Sequence, residues 1–518
     1  MYAAVLSASA ISLLFVYFVI HPIYLYFQDA KGLRRYPLLH PLAGITNLMF
    51  VREAMRGFRS KALYELHKTH PVVRTGPTSL SYGNLAAIKD IYGHGTKCLK
   101  GVFYETLSGT HFHLADVVDK AEHSRKRRAL AAAYAIKNLE NWEHKVADKT
   151  ARFIRAADAA CTEPLRSGVV GPSPSDLTFD YRKYANLFTV DAIADIGLSE
   201  RLGLLDEGDD LVQAERMDGS VYQVHFRECL HSTARAQSCL VWTEKWYDFA
   251  SRLSKIMSGN FARLWKLNEG WNDLVYRRAM QRLRRYQAGE KMPDFFQSLM
   301  EHSETNPLEL GEIVAEVSIM MNAGSDTTAI AMNNVVYWLL KNPDCLGKLR
   351  SEVDAVLAPD EVIAPYEKVK HLPYLRACLD ESLRITPPTT FGLPRRTPPE
   401  GATILGDFIP GDTTVSMSAY VAHRDPNVFP EPEEYIPDRW LGEKGKALQP
   451  YFISFSAGAR GCIGRNISYL EQTVLLASVV HRYEIALPSP GWVQDRHEAF
   501  NLMPGLMPVK IWRRSQCA

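Results

Sequence analysis

Apolar side chains are distributed along the chain in three distinct ways. The first run, Ala3 to Phe27, holds no charged residue, and its centre from Ile11 to Ile20 is almost wholly apolar. With His21 and Pro22 near one interface, it suffices for one membrane-spanning helix of roughly 20 residues. Lys31, Arg34 and Arg35 follow the run and no basic residue precedes it. That asymmetry argues for an uncleaved anchor over a signal peptide and puts the rest of the chain on the cytoplasmic side. The second pattern is helical. The stretch from Pro307 to Leu340 reads as one long helix, free of proline until Asn342-Pro343. Its middle, Ile313 to Ala331, is apolar nearly all round, so it should run through the core. More amphipathic helices are expected near 343–357 and 372–384, and a last long one at 466–483. The third pattern is short extended pieces, such as Ala402 to Leu405 and Thr413 to Ser418, set between Gly and Pro turns.

These patterns predict a mainly α chain with a minor antiparallel β part. Residues 1–28 form the anchor and 29–56 a linker, stiff and poorly helical across Tyr36 to Pro41 because prolines bias their predecessors towards extended backbone. Residues 57–518 form a single large domain with no further linker.

Composition changes this picture little. The chain has 518 residues, 46% hydrophobic and 23% charged, with a net charge of +2. So small an excess gives no footprint for a nucleic-acid partner. Eight cysteines occur, none as Cys-x-x-Cys and none at zinc-site spacing, which points to a reducing compartment for the folded part.

The most informative stretch is Phe455-Ser-Ala-Gly458-Ala-Arg460-Gly-Cys462-Ile-Gly464. Cys462 stands just before a helix, where backbone N–H groups and the positive dipole end support a thiolate. Gly458 and Gly464 permit a sharp turn and close approach to a flat cofactor. Arg460 could pair with an acidic group on it, and Phe455 could shield one face. On the loop alone a second reading stays open: a buried cysteine in a glycine-rich turn.

Inside the apolar helix lies Ala323-Gly324-Ser325-Asp326-Thr327-Thr328. An acid and two alcohols are costly mid-helix unless something uses them. Gly324 offers room for a ligand against the backbone, at a helical cost of about 1 kcal/mol. The alternative is a kinked core helix whose hydroxyls bond back to carbonyls. Glu381 and Arg384 share one helix face, yet Glu-x-x-Arg also occurs at 53–56, 122–125 and 163–166, so spacing alone decides nothing.

Phe455, Gly458, Arg460, Cys462 and Gly464 together fill a spacing that resembles the haem-binding signature of the cytochrome P450 family. The helix hexapeptide resembles that family's oxygen-activation motif, and Pro437-Asp438-Arg439-Trp440 resembles its Pro-x-Arg-Phe/Trp motif. The resemblance spans nearly the whole chain and implies a P450 fold binding haem b, with Cys462 as axial thiolate ligand of the iron. It implies that Thr327 hydrogen-bonds iron-bound oxygen and that Asp326 leads to a proton relay. Arg439 would close a buried structural triad with Glu381 and Arg384. Arg127 would lie near a haem propionate, with His123 as a further donor where the family commonly has tryptophan. The implied activity is insertion of one atom of O2 into a small hydrophobic substrate.

No flavin or nicotinamide fingerprint is present, so electrons would come from NADPH through a separate flavoprotein reductase. Arg125, Lys126 and Arg128 offer a docking face for it, or an ordinary solvated helix face. The stretch 391–404 and Ala422 to Pro426 look most like fungal members near the benzoate para-hydroxylases and pisatin-demethylase-like enzymes, which include tailoring enzymes of secondary metabolism. Pocket candidates by analogy are 103–113, with His111 and His113 as polar contacts, 320–323, 389–393 and 500–503. The expected location is the endoplasmic reticulum membrane, single-pass. Two other readings keep the fold: a non-oxygenating isomerase, dehydratase or coupling enzyme, and a non-catalytic haem sensor or carrier.

Overall fold

The computed structural model describes residues 7, 9, 12–166, 168, 171–303 and 307–515, with only the backbone of Thr233 described. Helices dominate. Seven of them carry the functional argument: α1 (Lys120–Ala131), α2 (Tyr181–Leu198), α3 (Phe226–Leu240), α4 (Gly259–Gln287), α5 (Leu310–Lys341), α6 (Pro373–Ile385) and α7 (Arg465–Arg482).

The apolar run expected to cross the core is α5, and it buries Ile313, Val317, Met321, Ile330 and Val335. Helix α2 lies along it. Their close approach depends on small residues from both sides. A Cβ on Gly324 of α5 would stand 2.6 Å from Ile193 Cγ1 of α2, and one on Gly197 of α2 would collide with Met320 Sδ of α5. Gly324 thus serves helix packing against α2, and α5 is helical throughout 323–328, with Ala323 next to it exposed. That corrects the expectation that Gly324 makes room for a ligand.

The other expected helices form over Pro343–Asp354, α6 and α7, and the expected strands over Ala402–Ile404 and Thr414–Ser416. The largest sheet has five strands in the order 72–76, 79–82, 414–416, 395–396, 99–100. Its 414–416/79–81 pair is parallel, an exception to the antiparallel expectation.

The N-terminal reading needs a correction. Among the described residues no helix is long and apolar enough to cross a membrane, and the expected spanning helix is not supported. Part of that run, residues 1–6, 8, 10 and 11, lies outside the described residues. Its described part leaves Leu13, Phe15, Tyr24 and Phe27 exposed. The 29–56 stretch carries a helix over Leu48–Met55 and buries Leu33, Ala43 and Val51.

Candidate active site

The cysteine loop is held from behind before it turns. Ser454 Oγ donates to Leu383 O on α6 at 2.7 Å, and Ile453 N–H donates to His423 Nε2 at 2.9 Å. The loop then closes on itself through Cys462 N–H to Phe455 O, 2.9 Å. Gly458 has φ +66°, and a Cβ there would collide with the Tyr92 carbonyl oxygen, so glycine is required twice over. Gly464 is different: a Cβ would meet Cys462 Sγ at an ordinary 3.8 Å.

The Cys462 side chain is exposed yet surrounded by protein, so it faces an interior space. Burial pushes its thiol up, against the N–H groups of Gly464 and Arg465 and the charges of Arg127 and Arg465. These are the supports that a helix start offers a thiolate. Phe455, whose carbonyl closes the loop, is half-buried, with its ring 5.3 Å from that of Tyr469.

Four basic side chains converge around His123. Arg460 donates to Val117 O at 2.6 Å and to Val118 O at 2.8 Å, and Arg127 donates to Gly461 O at 2.8 Å. Arg395 reaches Tyr104 Oη at 3.2 Å, and Lys100 Nζ donates to Ala115 O. Among the described residues none of these four forms an ion pair with a carboxylate. Burial and the neighbouring Arg395 bring the Arg460 guanidinium down to about 10. Burial first, then Arg460, Lys100, Arg127 and Arg395, holds His123 near 3 and therefore neutral. Lys100 and Arg395 are buried and Arg127 and Arg460 half-buried, and cations placed so without an ion-pair partner are unfavourable. A group carrying carboxylates fits here, as the two propionates of haem b would. Sequence reasoning missed Arg395 and Lys100, and only the doubled Arg395-Arg396 in the turn-rich segment hinted at the first.

The charge cluster behind the loop is complete. Arg384 Nε and Nη2 donate to Glu381 Oε2 and Oε1, both at 2.8 Å, and neither side chain is exposed at all. Arg439 Nε adds a bond to Glu381 Oε1 at 3.1 Å, and Trp440 Nε1 one to Oε2 at 2.8 Å. The remaining Arg384 donors reach His423 O, Pro432 O and Glu434 O. Because Nε2 of His423 accepts from Ile453, its Nδ1 carries the proton and donates to Arg384 O, 3.1 Å. Burial and Arg384 hold this histidine near 3. It is the physical link between triad and loop, and no sequence signal marked it as such.

On α5, Thr327 Oγ1 bonds back to Ala323 O at 2.9 Å. Its neighbour Asp326 points the other way, gripped by Arg182 of α2 at 3.2 Å, His231 of α3 at 3.0 Å and Asn501 at 2.9 Å. Burial would raise this carboxyl, but His231, Arg182 and Asn501 prevail and hold it well below the usual carboxylate range. These three partners, distant in sequence, were missed.

Other assignments change. Arg125 pairs with Glu122 and Glu312, and the buried Lys126 with Glu312 and Glu316, so of that basic group only Arg128 is exposed. His111 is engaged by Glu309 at 3.2 Å and His113 by Asp116 at 3.3 Å. The apolar candidates do gather: Phe103 has ring centroids of Trp242, Phe391 and Phe500 at 5.0, 5.7 and 6.4 Å.

A family model for Cytochrome P450 matches residues 37–510. Benzoate 4-monooxygenase bphA of Aspergillus niger is 28% identical over 91% of this chain and 92% of its own. A Cytochrome P450 monooxygenase of Aspergillus terreus is 30% identical over 81% and 84%, respectively. Cytochrome P450 monooxygenase cicH of Emericella nidulans is 29% identical over 92% and 93%. The chain belongs to the cytochrome P450 family, among fungal relatives, and is an oxidoreductase of the monooxygenase kind.

Proposed function

We propose that this chain binds haem b through Cys462 and inserts one atom of O2 into a hydrophobic, aromatic substrate, using electrons from a separate NADPH-dependent flavoprotein reductase. The observation that carries the reading is the Cys462 sulfur just ahead of α7, with Arg127 close enough to act on it, together with a group of buried and half-buried cations around His123 that form no ion pair among the described residues. Haem with a single thiolate ligand supplies O2 binding and O–O cleavage. Arg127, Arg395, Arg460 and Lys100 would hold its carboxylates, with neutral His123 as a further donor. Gly458 turns the loop, Gly464 starts the helix without crowding the sulfur, and Phe455 keeps water from one side. Thr327 and Asp326 hold and pass protons, which favours oxygenation over isomerisation or a passive haem carrier. Glu381, Arg384 and Arg439 hold the loop in place.

The aromatic rings around Phe103 suit a flat apolar substrate, and the likeness to Benzoate 4-monooxygenase bphA makes benzoate a first probe. The likeness to further fungal cytochrome P450 monooxygenases makes larger lipophilic aromatics the second set. Attachment to the endoplasmic reticulum membrane through residues 1–28, with the haem domain facing the cytoplasm, completes the proposal. Its support is apolar: Tyr17 and Phe18 rest on Trp246, next to the exposed Phe249.

The test is the carbon monoxide difference spectrum of the reduced protein. A strongly red-shifted Soret band that vanishes in Cys462→Ser supports the reading. A band typical of histidine-ligated haem, or folded protein with no haem, sinks it. Carbonate extraction of the full chain, compared with one lacking residues 1–28, tests the attachment.

A further inference from the structure

Asp326 is almost completely buried, yet one wall of its clamp is wet. A cavity of about 740 Å³, open to solvent, lies between α2, α3, α4 and the strands near 496–504, and both Arg182 and His231 line it. Of the three groups bonded to Asp326, Arg182 is permanently charged and the Asn501 amide does not exchange protons on the timescale of turnover. Asn501 is moreover tied by Thr389, whose Oγ1 donates to its Oδ1 at 3.0 Å. His231 differs from both. Its Nε2 sits 3.0 Å from Asp326 Oδ1, and its side chain keeps 20% exposure. An imidazole with one nitrogen on a buried carboxylate, on a side chain that also lines a cavity open to solvent, is placed to carry protons. The cavity's other titratable groups, among them Lys183, Asp210, His225 and His497, do not reach Asp326.

We propose that His231 is the proton-entry residue of this enzyme, carrying protons from water in that cavity to Asp326 and so towards Thr327. The inference rests on the oxygenase reading above. The step balances simply. A water-borne proton adds to Nδ1, the Nε2 proton passes to Asp326 Oδ1, and the ring is left as its Nδ1–H tautomer. A flip of the ring about its Cβ–Cγ bond then brings the protonated nitrogen back onto Asp326 and the bare one to the cavity, which restores the starting arrangement. Arg182 and Asn501 hold the carboxylate in line but move no proton.

The experiment uses the haem-loaded full chain with an NADPH-dependent flavoprotein reductase and benzoate as probe. It follows NADPH consumption and hydrogen peroxide release in H2O and in D2O. His231→Gln keeps a hydrogen bond to Asp326 but cannot carry a proton. It should slow NADPH consumption on the order of tenfold, raise the peroxide fraction and enlarge the solvent isotope effect. His231→Lys, which can carry a proton, should recover part of the rate. An unchanged carbon monoxide spectrum in both variants shows that the fold and the haem site persist. Wild-type rate and isotope effect in His231→Gln overturn the proposal, as does a lysine variant no faster than the glutamine one. Asp326→Asn separates the two levels. If it slows turnover while His231→Gln does not, only the entry residue is wrong; if neither does, the acid–alcohol reading itself fails.

Discussion

Two regions flank the cysteine loop, both dense in buried charge, and they are solved in opposite ways. Behind the loop, Glu381 takes bonds from Arg384, Arg439 and Trp440, and every donor of Arg384 is used. In front of it, Lys100, Arg127, Arg395 and Arg460 find only carbonyls and a phenol. A buried charge network that closes on itself belongs to the scaffold. One that stays open by several positive charges is half of a binding site. The contrast separates structural from ligand-holding residues without reference to any relative.

Breaking the closed network should have the largest effect. Glu381→Ala leaves the fully buried Arg384 guanidinium uncompensated, with Arg439 beside it losing its carboxylate as well, and should cost about 3–5 kcal/mol, read as a shift of the urea midpoint or as failure to fold. The open network should respond with the opposite sign. Lys100→Met and Arg395→Met are expected to leave the haem-free protein as stable as before or more so, while haem affinity falls about 10–100-fold. Haem titration against chemical unfolding of the same samples reads both. If these variants unfold as Glu381→Ala does, the distinction between the two regions collapses.

The histidine that couples scaffold to loop sharpens the comparison through pH. His423 is held near 3 in the folded protein against 6.5 ordinarily, so the unfolded chain takes up its proton first as pH falls. Stability from this site is complete above about 6.5 and declines towards 3 by about 1.4 kcal/mol per pH unit. His423→Gln, which cannot titrate, should flatten that part of the stability–pH curve. The smallest effect is expected at the rim. Arg439→Lys gives up the bonds to Pro430 O and Glu431 O and should cost about 1 kcal/mol with haem affinity unchanged.

What could be read in advance followed from locality. The α5 helix, the turn at Gly458 and the Cys462 position depend on residues adjacent in sequence, so periodicity and spacing reveal them. The partners of Asp326 come from α2, α3 and the C-terminal strands, and nothing in their local sequences sets His231 or Asn501 apart from ordinary surface or turn residues. Gly324 shows the converse failure. Its smallness was legible, but whether a ligand or Ile193 exploited it depended on the packing of a second helix. Arg125 and Lys126 fail for the same reason, since their acidic partners Glu312 and Glu316 lie far along the chain.

The Asp326 clamp also has a bearing on the order in which the chain assembles. Its three bonds bridge 144, 95 and 175 residues, whereas Arg439 meets Glu381 across only 58. Closing long loops is entropically expensive and topologically slow. During refolding the scaffold behind the cysteine can therefore form from one contiguous stretch. The clamp waits for the C-terminal strands to dock. A folding intermediate with the Glu381 network closed is the expected result, formed before the cations that reach the loop across 334 and 343 residues and before the clamp, and visible as burial of Trp440 that precedes both haem uptake and turnover.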